Sequence, residues 1–173
     1  MSFDSQSELA IIGALSAIGG ALAAFFPTLW LTRIKEKELK HSVATQFYAE
    51  IKAMLKTEQH RGYIEDIRKI LSAFDSNQIE NYAYKVEVSE ERFPIFKSNL
   101  QNLGVLEPKI QGKIVLLYQL LEAVIQDIKP GGLLNSNHVG RKPYQELLNI
   151  MIEIKDTAEE ILAEIELIHS DVC

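Results

Sequence analysis

Cysteine is almost missing from this sequence: the only one among its 173 residues is Cys173. A single thiol forms no internal disulfide, and no pair or cluster of cysteines is present to hold zinc. Positive charge is also scarce, because 18 Lys and Arg face 24 Asp and Glu, for a net charge of −6. Nucleic-acid binding needs clustered cations that neutralise phosphates, so no direct nucleic-acid partner is expected.

The motifs of common active sites are missing as well. There is no P-loop, no GxSxG and no HExxH, which are the patterns of phosphate binding, acyl transfer and zinc hydrolysis. The four histidines lie far apart in sequence, and none is spaced four residues from another histidine. We therefore predict a protein that is not an enzyme, with no cofactor and no catalytic, cofactor-binding or metal-binding residue.

A long run of residues lacks charge altogether. The 24 residues Leu9–Thr32 carry no Asp, Glu, Lys or Arg, and about 20 apolar residues suffice to cross a bilayer core. A signal peptide would need a basic start, which residues 1–8 do not provide, and a buried core helix seldom runs this far without a charge. The aromatic residues Phe25, Phe26 and Trp30 gather at one end, as in an interfacial belt. We predict a transmembrane helix over residues 9–32.

The flanks of this segment predict its orientation. Lys and Arg are absent before it, whereas four follow within eight residues: Arg33, Lys35, Lys37 and Lys40. By the positive-inside rule, residues 1–8 are extracytoplasmic and residues 33–173 form a cytoplasmic domain. The expected location is a bacterial inner membrane, crossed once with the N-terminus outside.

Small and bulky side chains occupy opposite faces of the predicted span. Ile11, Leu15, Ile18 and Leu22 share one face at about 100° per residue. Spans that pack closely in lipid use small residues, because these let two backbones approach. The opposite side supplies our candidate pore or interface residues: Gly13, Ser16, Ala17, Gly20, Ala23, Ala24, Pro27 and Trp30. A low-specificity anchor, in which the small residues have no role, is the alternative.

The remaining chain is predicted to be helical. Apolar residues recur with four-three spacing from Ile110 to Ile128 and from Tyr144 to Ile168, which favours an antiparallel bundle of three or four helices. A break is expected at His60–Gly62, and alternating residues predict a short extended segment near 82–88. The fold class is thus all-α, with an N-terminal transmembrane helix followed by a cytoplasmic antiparallel helical bundle.

The Gly-rich loop Lys129–Lys142 has two interpretations. Backbone N–H groups before a helix can hold an anion, but the loop lacks the spacing of a phosphate motif. An ordinary connection between helices is the favoured interpretation.

The predicted architecture is one span followed by a long juxtamembrane helix and a compact helical domain, and the span contains "LAIIGALSAIGGALAAFFPTLW". This architecture resembles that of the small membrane accessory proteins of type VI-B CRISPR systems. The resemblance implies a HEPN-like bundle that assembles as a ring-shaped membrane pore in antiphage defence. HEPN RNases use a closely spaced Arg and His, whereas seven residues separate Arg33 from His41 here.

These observations lead to one expected function and two alternatives. We expect a homo-oligomeric membrane pore or permeabilising effector, because the span is size-segregated and is joined to a helical domain. Its expected partners are the lipid bilayer, further copies and a cytoplasmic protein such as a CRISPR effector. A non-enzymatic membrane anchor or adaptor is the first alternative. An enzyme with the Lys129–Lys142 loop as its site ranks last.

Overall fold

The computed structural model describes residues 5–84, 92–136 and 138–170, with side chains from residue 30 onward. Within these ranges the chain forms helices and no strand, which confirms the predicted all-α class. The elements are α1 (Ser5–Arg61), α2 (Tyr63–Asp75), α3 (Pro94–Asn99), a 3₁₀ helix (Leu100–Val105), α4 (Pro108–Ile128), a second 3₁₀ helix (Leu133–Asn135) and α5 (Arg141–Ser170). The chain divides into two compact units, Met1–Lys40 and His41–Cys173.

The first unit contains the predicted span. Its backbone over residues 9–32 is helical as part of α1, while the side chains of residues 9–29 lie outside the described ones. Among the described residues, no helix combines the length and the apolar character needed to cross a membrane.

The junction between α1 and α2 lies where the sequence predicts a break. Gly62 has a φ of 66°, a left-handed conformation that favours glycine because a Cβ would be crowded there. Its N–H donates to the Glu58 carbonyl at 2.7 Å, and the Glu58 carboxylate accepts the Ile64 N–H at 3.3 Å. Glu58 on α1 thus caps the first turn of α2.

The first hydrophobic cluster joins α1, α4 and α5. It is centred on Phe47, Ile114 and Ile161, each with no exposed surface. Four-residue spacing puts one face of each helix into this core. Its buried members are Val43, Ala44, Phe47, Ile51, Leu103, Leu106, Ile110, Ile114, Leu117, Tyr118, Ala158, Ile161 and Ile165.

The second hydrophobic cluster joins α2 to the first half of α5 and to the loop before it. Tyr144 is fully buried at its centre and contacts the Phe74 ring, with 5.7 Å between ring centroids. Its buried members are Ile64, Ile67, Leu71, Phe74, Leu134, Val139, Tyr144, Leu147 and Leu148. Helix α5 therefore contributes buried residues to both clusters.

Ion pairs show that α4 and α5 run antiparallel, as predicted. Lys109 and Lys113 in the first turns of α4 lie 2.7 Å and 2.9 Å from the carboxylate of Glu164, near the end of α5. Lys113 also contacts Glu160 at 2.6 Å. Hydrogen bonds from Lys109 and Lys113 hold the pKa of Glu164 below its usual value, since they favour the charged carboxylate.

The predicted extended segment is described only over residues 82–84. The N–H groups of Tyr82 and Tyr84 donate to the carbonyls of Val139 and Leu134 at 3.1 Å and 2.8 Å. The Tyr144 hydroxyl donates to the Tyr82 carbonyl at 3.1 Å. Residues 82–84 thus form a connection bonded to the loop before α5, and residues 85–88 lie outside the described residues.

Two helix boundaries differ from those predicted from the sequence. Helix α5 begins at Arg141 rather than near Pro143, because proline fits any position of a first turn, where N–H groups lack helical partners. The 3₁₀ helix includes Gly104, the predicted stop, and ends at Val105. Pro108 begins α4 as predicted.

Close backbone approach at Gly132 yields a test of the fold. A Cβ at this position would overlap the backbone carbonyl oxygens of Gln126 and Asp127. We expect Gly132→Ala to destabilise the full-length protein by about 1–3 kcal/mol, the usual cost of overpacking.

Gly112 in α4 provides the matched control, because a Cβ there meets no atom within 4 Å. Gly112→Ala should raise stability by up to about 1 kcal/mol through helix propensity. Thermal unfolding of the detergent-solubilised protein measures both changes. Equal melting temperatures for the two variants would contradict the packing seen at Gly132.

Candidate functional site

The predicted pore and interface residues lie on the helical backbone of α1. The side chains of Gly13, Ser16, Ala17, Gly20, Ala23, Ala24 and Pro27 are outside the described residues, so their role stays a prediction. Trp30 is described, and 66% of its surface is exposed, as is 51% of Leu31. Two large apolar side chains are thus uncovered in the isolated chain at the C-terminal end of the predicted span.

The Lys129–Lys142 loop uses many of its polar groups to stabilise the fold. Arg141 donates to both carboxylate oxygens of Asp75 at 2.6 Å and 3.2 Å. The Asn135 amide donates to the carbonyls of Tyr84 and Ile128 at 3.3 Å and 3.4 Å. Lys142 lies 3.7 Å from Glu146 within α5. These contacts support the interpretation as a connection between helices.

Two histidines that are distant in sequence lie together in the structure. The rings of His41 and His169 are 4.7 Å apart between centroids, and the His169 Nε2 lies 3.2 Å from the Thr45 hydroxyl. Over the described ranges, no group of three or more His, Cys, Asp or Glu residues is placed to hold a metal ion. The sequence contained no signal for this pairing, because it depends on the antiparallel packing of α1 and α5.

A cavity of about 550 Å³ lies between the two hydrophobic clusters, inside the second unit. Leu117 and Ala158 of the first cluster and Ile67 and Leu147 of the second line it. Ligand pockets commonly have about 300–1,000 Å³ and mostly apolar walls. The cavity has the size and the lining of a small-molecule site.

The long walls of the cavity are the apolar stripes that the sequence predicts on α4 and α5. Along α4 these are Leu117, Leu121, Val124 and Ile128, and along α5 they are Leu147, Met151, Ile154 and Ala158. Both sets have four-three-four spacing, so each lies on one helix face. Leu117, Leu147 and Ala158 are buried, whereas Leu121, Val124, Ile128, Met151 and Ile154 are only half-buried. The two stripes are therefore only partly buried where they line the cavity.

The two carboxylates lining the cavity are already engaged. Glu50 accepts the Ile95 and Phe96 N–H groups at 3.0 Å and 3.2 Å and the Tyr118 hydroxyl. Glu58 accepts the Ile64 N–H, as described above. Half-buried carboxylates need such donors, because removing a charge from water is costly without them.

Tyr118 completes this cluster. Its ring stacks on Phe96 at 4.0 Å between centroids and contacts Phe93 edge-on at 5.1 Å. Burial and the hydrogen bond to Glu50 raise the pKa of Tyr118 well above its usual value, so the phenol stays protonated at neutral pH. The cluster holds α3 against α1 and α4.

Lys155 is the only cation among the described residues that line the cavity. Its nearest carboxylate, Glu159 in the same helix, lies 3.9 Å away, and 48% of the Lys155 side chain is exposed. An exposed ion pair between residues one helical turn apart contributes little to stability. An ammonium group is thus left at the cavity mouth with only a weak partner.

Comparison with known proteins adds no relative: no family model, curated protein or solved structure matches the chain.

The Glu50 cluster yields a test of the cavity wall. Glu50→Ala removes the acceptor of three donors, two of which cap α3. We expect a loss of about 2–4 kcal/mol of stability, because half-buried donors lose their partner.

Glu153→Ala is the control, since Glu153 is an exposed carboxylate on α5. It should change stability by no more than about 0.5 kcal/mol. Chemical denaturation of the full-length protein compares the two. A Glu50→Ala variant as stable as the control would show that these hydrogen bonds do not support the fold.

Proposed function

We propose that the protein is a single-span membrane protein that acts as a homo-oligomeric pore or permeabilising effector. The observation that carries this proposal is the segregation of side chains by size along the uncharged segment Leu9–Thr32. A plain anchor needs only apolar side chains, whereas a helix that packs against further copies needs one face of small ones. Because the sequence contains one such segment, its packing partner is another copy or another membrane protein.

Two features of the described residues support this proposal. The backbone over residues 9–32 is helical, which is the geometry that places residues four apart on one face. Trp30 and Leu31 are exposed in the single chain, as expected of side chains that meet lipid or a neighbouring copy. The resemblance to CRISPR accessory proteins adds antiphage defence at the bacterial inner membrane as the setting.

An adaptor is the second candidate, and a separate observation favours it. Residues 41–170 contain two hydrophobic clusters and a cavity of about 550 Å³. A pore requires no such cavity, whereas a module that binds a small ligand uses one. The adaptor would use the N-terminal helix only for attachment and would run as a monomer or dimer in detergent.

Orientation is the first test of the membrane proposal. Lys and Arg follow the span and none precedes it, so the bundle should be cytoplasmic. In intact cells, a Ser2→Cys, Cys173→Ser variant should react with a membrane-impermeant thiol reagent, and native Cys173 should react only after lysis. The reverse pattern would reject the proposed topology.

Assembly through the small face is the second test. Gly20→Leu adds bulk to the small face and should convert a large discrete oligomer into smaller species, because backbones can no longer approach closely. Leu22→Ala changes the bulky face and serves as the control. Light scattering of detergent-solubilised protein measures both masses. A parent protein that is monomeric or dimeric would favour the adaptor, and unchanged assembly of both variants would exclude the small face as an interface.

A further inference from the structure

The cavity of the second unit has the shape of a site for one alkyl chain. Its long walls are aliphatic. Along α4 the lining residues run from Leu117 to Ile128, which are eleven residue steps apart, or about 16 Å of helix at 1.5 Å per residue. A saturated chain of about twelve to sixteen carbons matches this length and fits within the range of pocket sizes. Apolar cavities gain little from water and take up apolar ligands instead.

Charge at the cavity mouth selects the head group. Glu50 and Glu58 are occupied by backbone N–H groups, so they offer no strong site to a cation. Lys155 keeps an ammonium group that is held only by Glu159 at 3.9 Å. A carboxylate at the end of an alkyl chain could pair with Lys155 while its chain lies between α4 and α5.

We infer that the bundle binds one long-chain fatty acid, with the alkyl chain between the α4 and α5 stripes and the carboxylate beside Lys155. This site goes beyond the proposed membrane function. It depends only on residues of the second unit and requires neither a pore nor an oligomer. A negative result in the assembly tests would not exclude the fatty-acid site. A negative result in the fatty-acid test would not exclude assembly through the small face.

Ala53 provides a way to fill the cavity without altering either cluster. It is an exposed residue of α1 that lines the cavity, so Ala53→Trp should place an indole in the space of the alkyl chain. Ala49 is also exposed and lies one turn earlier on α1, away from the cavity lining. Ala49→Trp is therefore the matched control for the added ring.

The experiment uses the full-length protein in nanodiscs with a palmitic acid that carries a diazirine near its terminal carbon. After illumination, mass spectrometry of peptides should find the label on α4 and α5. Labelling of these helices should fall about tenfold in Ala53→Trp and stay unchanged in Ala49→Trp. Label on the N-terminal helix reports the probe dissolved in the bilayer and serves as the internal reference.

The head group is tested with a second pair of variants. Lys155→Glu should reduce labelling by the acid about three- to fivefold, the effect of an exposed charge pair, and leave labelling by the matching fatty alcohol unchanged. Lys142→Glu is the control, because Lys142 pairs in the same way with Glu146 on the same helix. If Ala53→Trp fails to fold, the comparison of Lys155→Glu with Lys142→Glu still tests the fatty-acid site.

Label confined to the N-terminal helix would overturn the inference. Equal labelling of α4 and α5 in the parent, Ala53→Trp and Lys155→Glu would overturn it too, since the probe would then bind outside the cavity.

Discussion

The apolar face of α5 is the constraint on which the bundle depends. Tyr144, Leu147 and Leu148 bury the first half of this helix against α2, whereas Ala158, Ile161 and Ile165 bury the second half against α1 and α4. A helix buries its stripe only where a partner faces it. Because different partners face the two halves, the middle of α5 lies where neither cluster is complete, and the cavity opens there.

Polar groups on α1 connect the two halves. Glu50 and Glu58 each accept N–H groups from the start of a following helix, α3 and α2 respectively. These bonds satisfy donors that a helix N-terminus leaves without partners and give the two carboxylates hydrogen-bond partners beside apolar walls. The same bonds leave the cavity with one weakly paired charge, Lys155, so structural capping determines which head group the cavity accepts.

The two proposals rest on different physics. Self-association of residues 9–32 rests on close packing in lipid, where small side chains decide how near two backbones come. Fatty-acid binding rests on transfer of an alkyl chain from water or bilayer into an apolar cavity of the second unit. A membrane protein with such a cavity would be placed beside a supply of its ligand.

Local rules made much of the fold predictable from sequence. Gly62 adopts a positive φ at the predicted break, Pro108 begins α4, and four-three spacing identifies the buried faces of α4 and α5. Residue periodicity reports which face avoids water, since that property belongs to one helix alone. It does not report how completely two such faces cover each other: Leu121 and Met151 pack against the first and second clusters, respectively, and both also line the cavity. The tertiary structure alone decided this, as it decided the pairing of His41 with His169, because both depend on how residues more than 25 positions apart approach one another.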